Sequence, residues 1–531
     1  MVLYLVIIFI FTILFYVLKK FIMKNHDYWK KKNVAHLKPL PLFGNHLETI
    51  LLQKHVTQVT HEICQQFPKE PYVGALFGTR PALIVKDPEL LKLVLSKDFY
   101  YFSGRDVSDY SHREQVTKNV FFSGGDEWKI QRQNLSPLFS SAKIKGMFYL
   151  IKDCADQLER LLEEETKSLQ YIDARVLFAR YTIDCITTCA FGLNPNTMNP
   201  IRDATNPFMT IGEKIFDTSR TRGFKMHFRI IWPSLFYALR LRMFEKRVFS
   251  FFHSLLTNIF TNRQTVKSTR NDFVDLILSW KQNNHITGAK LGNKNSDKET
   301  VSLEVNNELL VGQCVVFFGA GSETTATSLS FVLYELAKNQ EIQQKLIAEI
   351  DAYFEKSNGA IEYACINELP YLEACIDESL RLYPALGVIT RDVMDDYTFP
   401  TGLRIQKGDL IQIPVTYIHQ NPDYYSEPEQ FRPERFYGEE RKNIKPFTFL
   451  GFGEGPRTCI GQRFSKMPTY AGFLTIFKNY RIELAENMPS HVKLETTSIV
   501  ITPASEINLK LNYRNTSLCS RLLLRTQHSE P

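Results

Sequence analysis

The sequence lacks the cysteine patterns of zinc-binding and disulfide-rich proteins. Its nine cysteines include no Cys-x-x-Cys pair and no Cys/His spacing typical of zinc sites. Their number is odd and their spacing is scattered, which indicates free thiols in a reducing compartment. No basic run carries interleaved aromatics, and the net charge is only +7. We therefore expect no zinc site of this kind, no disulfide framework and no nucleic-acid partner.

No lysine or arginine precedes the first long apolar run. Residues 1–18 read MVLYLVIIFIFTILFYVL and would reach roughly 27 Å as a helix, close to the ~30 Å hydrocarbon core of a bilayer. A cleaved signal peptide would begin with positive charge and end at small residues, so we predict a membrane anchor instead. Six lysines follow the run between positions 19 and 32, which predicts that the rest of the chain is cytosolic.

No linker or internal repeat divides the remainder of the chain. Residues 19–44 are basic and end near Pro39 and Pro41, whose fixed φ angles indicate a stiff connection. Residues 45–513 show no break in composition, and we expect a single large domain. The polar residues 514–531 are predicted to be a disordered tail.

Apolar residues at helical spacing, without internal proline, dominate the domain. The predicted helices are 154–165, 182–191, 245–261, 272–282, 306–338, 342–356 and 371–383. Shorter β-like stretches lie at 82–86, 397–413 and 497–511. The polar interval 281–300 is predicted to be a surface loop. Together these patterns predict a mainly α fold with small β-sheets.

One cysteine is set apart from the other eight, which are expected to be small buried apolar residues. Cys459 lies in FLGFGEGPRTCIGQRF, which fits the pattern Phe-x-x-Gly-x-Arg-x-Cys-x-Gly. Gly453, Gly455 and Gly461 permit a tight turn that aims backbone N–H groups at the sulfur, and a helix starting just after them would favour a thiolate. A thiolate protected in this way is suited to ligating a haem iron, where it favours O–O cleavage.

The long predicted helix 306–338 contains a second pattern. Gly319, Ala320 and Gly321 would present a smooth surface to a flat ring, and Glu323 and Thr324 follow closely. A threonine hydroxyl in a locally opened helix turn could deliver protons during oxygen activation, while the glutamate relays them from solvent. The alternative is a packed helix in which the threonine hydrogen-bonds its own backbone.

With these two motifs together, the chain resembles the cytochromes P-450 over nearly its whole length, and most of all the microsomal members from insects. The resemblance implies the cytochrome P-450 fold in one haem domain, with haem b (iron protoporphyrin IX) on Cys459. Ser465 stands where the family's signature often has alanine, which is a small departure. The residues given catalytic roles by the resemblance are Thr324, Glu323, Ala320 and Gly321.

Further residues match the family's haem contacts and supporting structure. The haem contacts implied by the resemblance are Trp128, Arg132, Arg391, Arg457, Arg105, Phe452, Gly453 and Gly461. The matching structural triad consists of Glu378, Arg381 and Arg435. Each group also has an alternative without such a role. Glu378 and Arg381 could be an exposed helical ion pair, and Trp128 and Arg132 could be a core tryptophan beside a surface arginine. Regions that line the family's substrate pocket contain Phe121, Phe122, Phe317, Phe318 and residues 386–389, any of which could be ordinary core.

The resemblance implies a monooxygenase of the endoplasmic reticulum membrane with a cytosolic catalytic domain. It would insert one oxygen atom from O₂ into a lipophilic small molecule, a foreign compound or a hormone-like one. Electrons would come from NADPH through a cytochrome P-450 reductase, with or without cytochrome b5. Candidate docking residues for this partner are Lys129, Arg441, Lys442, Arg463 and Lys466.

Two other functions stay open at this point. One is a haem-thiolate isomerase or dehydratase, which needs no reductase. The other is a non-enzymatic haem sensor or carrier. The intact Glu323-Thr324 pair favours the monooxygenase over the isomerase.

Overall fold

The helices carry most of the chain. The computed structural model describes residues 2–105, 107–199, 206–265, 270, 272–292, 299–486 and 488–514. The α-helices are α1 Val2–Ile22, α2 Tyr28–Lys31, α3 Leu47–Ile50, α4 Val56–Gln65, α5 Pro88–Lys92, α6 Gly125–Leu135, α7 Ser141–Ser168, α8 Ala174–Ile186, α9 Pro207–Ile215, α10 Arg220–Ile231, α11 Pro233–Ala238, α12 Lys246–Thr265, α13 Phe273–Asn283, α14 Asn307–Lys338, α15 Gln340–Lys356, α16 Cys365–Glu368, α17 Pro370–Leu382, α18 Val415–His419 and α19 Gln462–Asn479.

In the described part of the chain, the strands are short and form four small sheets. They are β1 Tyr72–Phe77, β2 Arg80–Val85, β3 Ile172–Asp173, β4 His285–Ala289, β5 Thr300–Glu304, β6 Ile389–Asp392, β7 Tyr397–Thr398, β8 Arg404–Ile405, β9 Leu410–Ile413, β10 Tyr480–Leu484 and β11 Asn508–Tyr513. The largest sheet has the order β1-β2-β9-β6, with β2 and β9 parallel and its other pairs antiparallel. The predicted mainly α fold with small sheets is confirmed.

Helix α14 runs through the centre of the domain. Its N-cap Asn306 accepts a hydrogen bond from the backbone N–H of Leu309 at 2.9 Å, and it continues unbroken to Lys338. Residues on all its sides are buried, as expected for a helix surrounded by others. Gly321 lets α8 come close, because a Cβ atom there would lie 2.7 Å from the Ile186 side chain. Contact between helices therefore explains this glycine, rather than only a smooth surface for a ring.

Two predictions of local structure are wrong. The polar interval 281–300 contains strand β4, which forms an antiparallel hairpin with β5. This polar strand is held by α6, where Asn134 Nδ2 donates to Thr287 O at 2.9 Å and Gln133 Oε1 accepts from Ala289 N at 3.0 Å. Residues 293–298 lie outside the described part. Within 497–511, only the end that belongs to β11 is a strand.

The N-terminal segment forms helix α1 over the apolar run. Among the residues that the structure describes, no helix is both long and apolar enough to cross a membrane. The anchor at residues 1–18 therefore stays a prediction. Part of the predicted linker packs on the domain: Trp29 is buried and its Nε1 donates to Ala75 O at 2.7 Å. Of the predicted tail, residues 515–531 lie outside the described residues.

Several buried histidines make the stability of the fold depend on pH. Burial lowers the pKa of His46 and His419 to about 3, and that of His55 and His227 to about 4. An unfolded histidine has a pKa of about 6.5, so between about pH 6.5 and 4 the unfolded chain binds protons that the folded chain does not. The free energy of unfolding therefore falls as the pH falls, by about 1.4 kcal/mol per pH unit for each histidine.

Replacing His46 by phenylalanine tests this dependence. The His46 ring packs on Phe77 with centroids 4.4 Å apart, and neither ring nitrogen has a hydrogen-bond partner in the described structure. The free energy of unfolding should fall less between pH 6.5 and 5 in His46→Phe than in the unaltered protein. The difference should approach about 1.4 kcal/mol per pH unit, because one titrating histidine has been removed. The measurement is denaturant unfolding at several pH values. The exposed His285→Gln is the control, and an unchanged slope in His46→Phe would contradict the prediction.

Candidate active site

One cavity of about 460 Å³ gathers most of the residues predicted to act together. It lies beside α14 and α6, next to the loop that precedes α19. The predicted residues that line it are Cys459, Thr324, Ala320, Gly321, Trp128, Arg132, Arg391, Arg457, Arg105, Phe452, Gly453 and Gly461. Glu323, Glu378, Arg381 and Arg435 are not among its lining residues. Positions far apart in the sequence thus share a single internal surface.

The cysteine loop is a compact turn fixed by its own backbone. Cys459 N donates to Phe452 O at 2.9 Å, and Gly453 N donates to Leu450 O at 2.9 Å. Gly455 has a φ of 74°, and a Cβ atom there would lie 1.8 Å from Leu95 O. Only glycine fits this position without moving the neighbouring backbone. The loop leads directly into α19, as the sequence predicts.

The Cys459 thiol faces the cavity from inside the protein. Its surface is accessible, yet that surface belongs to the cavity wall. Burial raises the pKa of the thiol, while the backbone N–H of Gly461, the guanidinium groups of Arg132 and Arg105 and the N–H of Gln462 act to lower it. These groups favour a negatively charged sulfur, which the desolvated site alone would disfavour.

Four arginines converge on the same cavity. Burial lowers the pKa of Arg105 to about 10 and that of Arg391 to about 9, and it lowers the pKa of Arg132 and Arg457 as well. The repulsion between neighbouring guanidinium groups adds to this effect at Arg105, Arg391 and Arg457. Arg391 Nε and Arg457 Nε are buried without a hydrogen-bond partner in the described part of the chain. Such a concentration of buried positive charge calls for an anionic partner.

These residues fit a haem. A haem needs an axial ligand for its iron and partners for two carboxylates on one edge, and the cavity offers a thiol and a group of buried guanidiniums. The Arg457 side chain is held in place by the Phe121 and Ser123 carbonyls and by the Trp128 ring, whose centroid lies 4.6 Å from Cζ. These contacts fix the orientation of the guanidinium group at the cavity wall.

The threonine on α14 differs from one expectation. Thr324 Oγ1 donates to Ala320 O at 2.7 Å, and α14 is regular at this point. The helix turn is therefore closed, which is the geometry of the packed alternative. Thr324 still lines the cavity. Glu323 does not line the cavity. Its carboxylate pairs with Arg175 on α8, with 2.9 Å between Oε1 and Nη2.

The structure brings the predicted triad together in a fully buried cluster. Arg381 donates from Nε and Nη2 to the two oxygens of Glu378, at 2.7 and 2.8 Å. Arg435 Nε adds a third bond to Glu378, at 3.3 Å. The remaining Arg381 bonds go to the carbonyl oxygens of His419, Pro428 and Gln430. The exposed-pair alternative does not apply, since Arg381 and Glu378 have no exposed surface.

Sequence reasoning missed the residue that joins this triad to the cysteine loop. His419 Nε2 accepts from the backbone N–H of Leu450 at 2.8 Å, so its Nδ1 carries the hydrogen and donates to Arg381 O at 3.0 Å. Burial lowers the His419 pKa to about 3, which keeps the imidazole neutral. No pattern separates His419 from the other histidines in the sequence, because its role depends on a contact 38 positions away.

The predicted pocket phenylalanines divide into two sets. Phe121 and Phe317 line the cavity, together with Leu386 and Ile389. Phe318 is fully buried and packs on Phe252, with ring centroids 5.5 Å apart. Phe122 lies behind Phe121 and is not among the lining residues.

His419→Leu tests the link between the triad and the cysteine loop. The change leaves the buried Leu450 N–H without a partner, which costs about 1–3 kcal/mol. We expect a lower thermal midpoint and faster loss of haem, measured by transfer to an excess of a haem-binding acceptor protein. His419→Gln can keep one donor and one acceptor and should lose less. Unchanged haem loss in His419→Leu would show that the loop does not need this residue.

Comparison with known proteins agrees with this geometry. A sequence model of the family described as cytochrome P450 matches residues 35–511. The chain is 34% identical over 503 residues to cytochrome P450 6B2 of Helicoverpa armigera, which covers 94% of this chain and 97% of that protein. It is 35% identical over 487 residues to cytochrome P450 6k1 of Blattella germanica, with coverages of 91% and 92%. It is 32% identical over 500 residues to cytochrome P450 6a2 of Drosophila melanogaster, with coverages of 92% and 96%. The chain therefore belongs to the cytochrome P450 family, as a haem-thiolate monooxygenase related to insect members.

Proposed function

We propose that this monooxygenase inserts one oxygen atom from O₂ into a lipophilic small molecule, with Cys459 as the thiolate that would hold the haem iron. The overall reaction is RH + O₂ + 2e⁻ + 2H⁺ → ROH + H₂O. Haem supplies the redox chemistry that activates dioxygen. The observation that carries the proposal is the cavity itself, in which Cys459, Thr324 and four arginines share one surface with apolar side chains.

The apolar part of the cavity supports a lipophilic substrate. Val120, Phe121, Phe317, Leu386 and Ile389 contribute to its lining. Such side chains bind by excluding water, and they favour apolar shape over particular polar groups. A foreign compound and a hormone-like molecule both have this character.

Proton supply is assigned to α14. Thr324 has its hydroxyl on the cavity wall, where rotation away from Ala320 O would turn it toward a bound reactant. Glu323 would relay protons from solvent, as the carboxylate is only partly buried beside Arg175.

Electrons would come from NADPH through a reductase, with or without cytochrome b5. The positive residues near the cysteine loop would contact this acidic partner. Three of them already pair with carboxylates: Lys466 Nζ lies 2.9 Å from Glu373 Oε1, Arg441 Nη1 lies 3.0 Å from Asp377 Oδ2, and Lys442 Nζ lies 2.7 Å from Glu439 Oε2. The positive field at this face is therefore weaker than the sequence suggests.

The proposed location is the endoplasmic reticulum membrane with the catalytic domain in the cytosol. Its support is the apolar run at residues 1–18 and the lysines that follow it. Protease protection of intact microsomes is the relevant measurement, and a protected catalytic domain would overturn this location.

The ligand assignment is tested by the reduced, carbon-monoxide-bound spectrum of the purified protein. We expect the band of a thiolate-ligated haem in the unaltered protein and its loss in Cys459→Ser, because a serine oxygen cannot replace the thiolate. The matched control is Cys375→Ala, a fully buried cysteine on α17 outside the cavity lining. A thiolate spectrum that survives Cys459→Ser would contradict the assignment. NADPH-dependent turnover with reductase separates a monooxygenase from an isomerase.

Thr324→Ala should lower the amount of product formed per NADPH consumed, because proton delivery at the cavity wall is lost. A several-fold drop in this ratio is expected, with partial recovery in Thr324→Ser. Thr257→Ala is the control, since Thr257 makes the same bond to its own helix at 2.8 Å but on α12. Equal coupling in Thr324→Ala and the unaltered enzyme would remove Thr324 from the mechanism.

A further inference from the structure

A buried ion pair lies behind the cavity wall, between the loop that precedes α6 and the helices α10 and α11. Arg229 Nε lies 3.4 Å from Glu114 Oε1, and the two side chains are 3% and 5% exposed. Glu114 also accepts hydrogen bonds from the backbone N–H groups of Met243 and Phe244, at 3.0 and 3.2 Å, and from the Tyr237 hydroxyl at 3.1 Å. One carboxylate therefore joins the loop to α10, to α11 and to the segment before α12.

Arg229 reaches the back of the cavity wall. Its Cζ lies 5.6 Å from the centroid of the Phe122 ring, within the range of a cation–π contact. Phe122 packs edge-to-face on Phe121, with centroids 5.0 Å apart, and Phe121 lines the cavity. On the inner side, Arg105 Cζ lies 4.1 Å from the Phe121 ring. The Phe122 and Phe121 rings thus lie between two guanidinium groups, that of Arg229 on one side and that of Arg105 on the other.

Stability alone does not account for a charged pair here. A buried ion pair loses hydration that its attraction repays only with good geometry, and apolar residues of similar volume often serve equally well. Arg229 Nη2 is also buried without a partner among the described residues. The charges instead orient side chains. The Glu114 carboxylate holds the Arg229 guanidinium group, and this group in turn contacts the Phe122 ring.

We propose that Glu114 and Arg229 are positioning residues that set the shape of the cavity wall at Phe121, and thereby the fit of bulky ligands. The inference rests on the proposed function in taking this cavity as the substrate site. Removal of either charge breaks the ion pair that orients the Arg229 guanidinium group, while Glu114 keeps its bonds to the Tyr237 hydroxyl and to two backbone N–H groups and its attraction to Arg222. Phe122, and with it Phe121, then loses its fixed position.

The test compares a small and a bulky ligand in optical titrations of the haem-loaded protein. Imidazole and 4-phenylimidazole both bind haem iron through nitrogen, and only the second is large enough to press on the wall. We expect Glu114→Gln and Arg229→Met each to raise the Kd of 4-phenylimidazole about tenfold, and that of imidazole by less than about twofold. The double variant should bind 4-phenylimidazole more tightly than either single variant, because both members of the ion pair are removed together.

A second buried ion pair provides the matched control. Arg180 Nη1 lies 2.7 Å from Glu165 Oε1, with both side chains under 10% exposed, and it joins α8 to α7 outside the cavity lining. Glu165→Gln should lower the thermal midpoint without changing the ratio of the two Kd values. If Glu114→Gln does the same, or weakens both ligands equally, the pair is only structural and the proposal is overturned. Absence of the thiolate spectrum in the unaltered protein would instead overturn the proposed function.

Discussion

The constraint on which the rest of the structure depends is the concentration of positive charge around one internal cavity. Four guanidinium groups face the space occupied on one side by the Cys459 thiol, and two of them have buried Nε groups without partners among the described residues. Such an arrangement is unfavourable in isolation, since every group loses hydration and repels the others. It becomes favourable when a dianionic, iron-bearing cofactor fills the space. Two of these groups, those of Arg105 and Arg132, also act to lower the pKa of the thiol.

Contacts in the surrounding protein keep the cavity wall in place despite the repulsion between the four guanidinium groups. The cysteine loop is fixed from below by a chain of contacts that runs from Glu378 through Arg381 and His419 to the backbone of Leu450. Each link is buried and directional, so a shift at one end moves the other. The opposite wall is held by α14, whose close contact with α8 at Gly321 leaves little freedom for either helix. The loop and the helix are thus each held in place at the wall of the same cavity.

Features of the fold and of the site could be predicted from the sequence where the interactions that form them join residues close in sequence. The cysteine loop and α14 were predictable because turn glycines and apolar spacing act within a few residues of each other. The β4–β5 hairpin was not, since polar residues in β4 are stabilised by side chains of α6 about 150 positions away. The closed helix turn at Thr324 also escaped prediction, because a hydroxyl can bond either to its own helix or to a reactant with similar geometry. His419 and the Glu114–Arg229 pair escaped for the same reason as β4, as their partners are distant in sequence.

The burial of Trp29 has a consequence for how far the domain can move from a surface that holds α1. Only six residues separate Ile22, the last residue of α1, from Trp29, which is fixed to the first sheet. A chain of this length spans at most about 25 Å when fully extended. With the proposed anchor in a bilayer, Trp29 and the sheet that it contacts could lie no farther than this distance from the end of α1. The sheet edge at β1 would then stay close to the headgroups, and the range of orientations open to a diffusing electron donor would be correspondingly narrow.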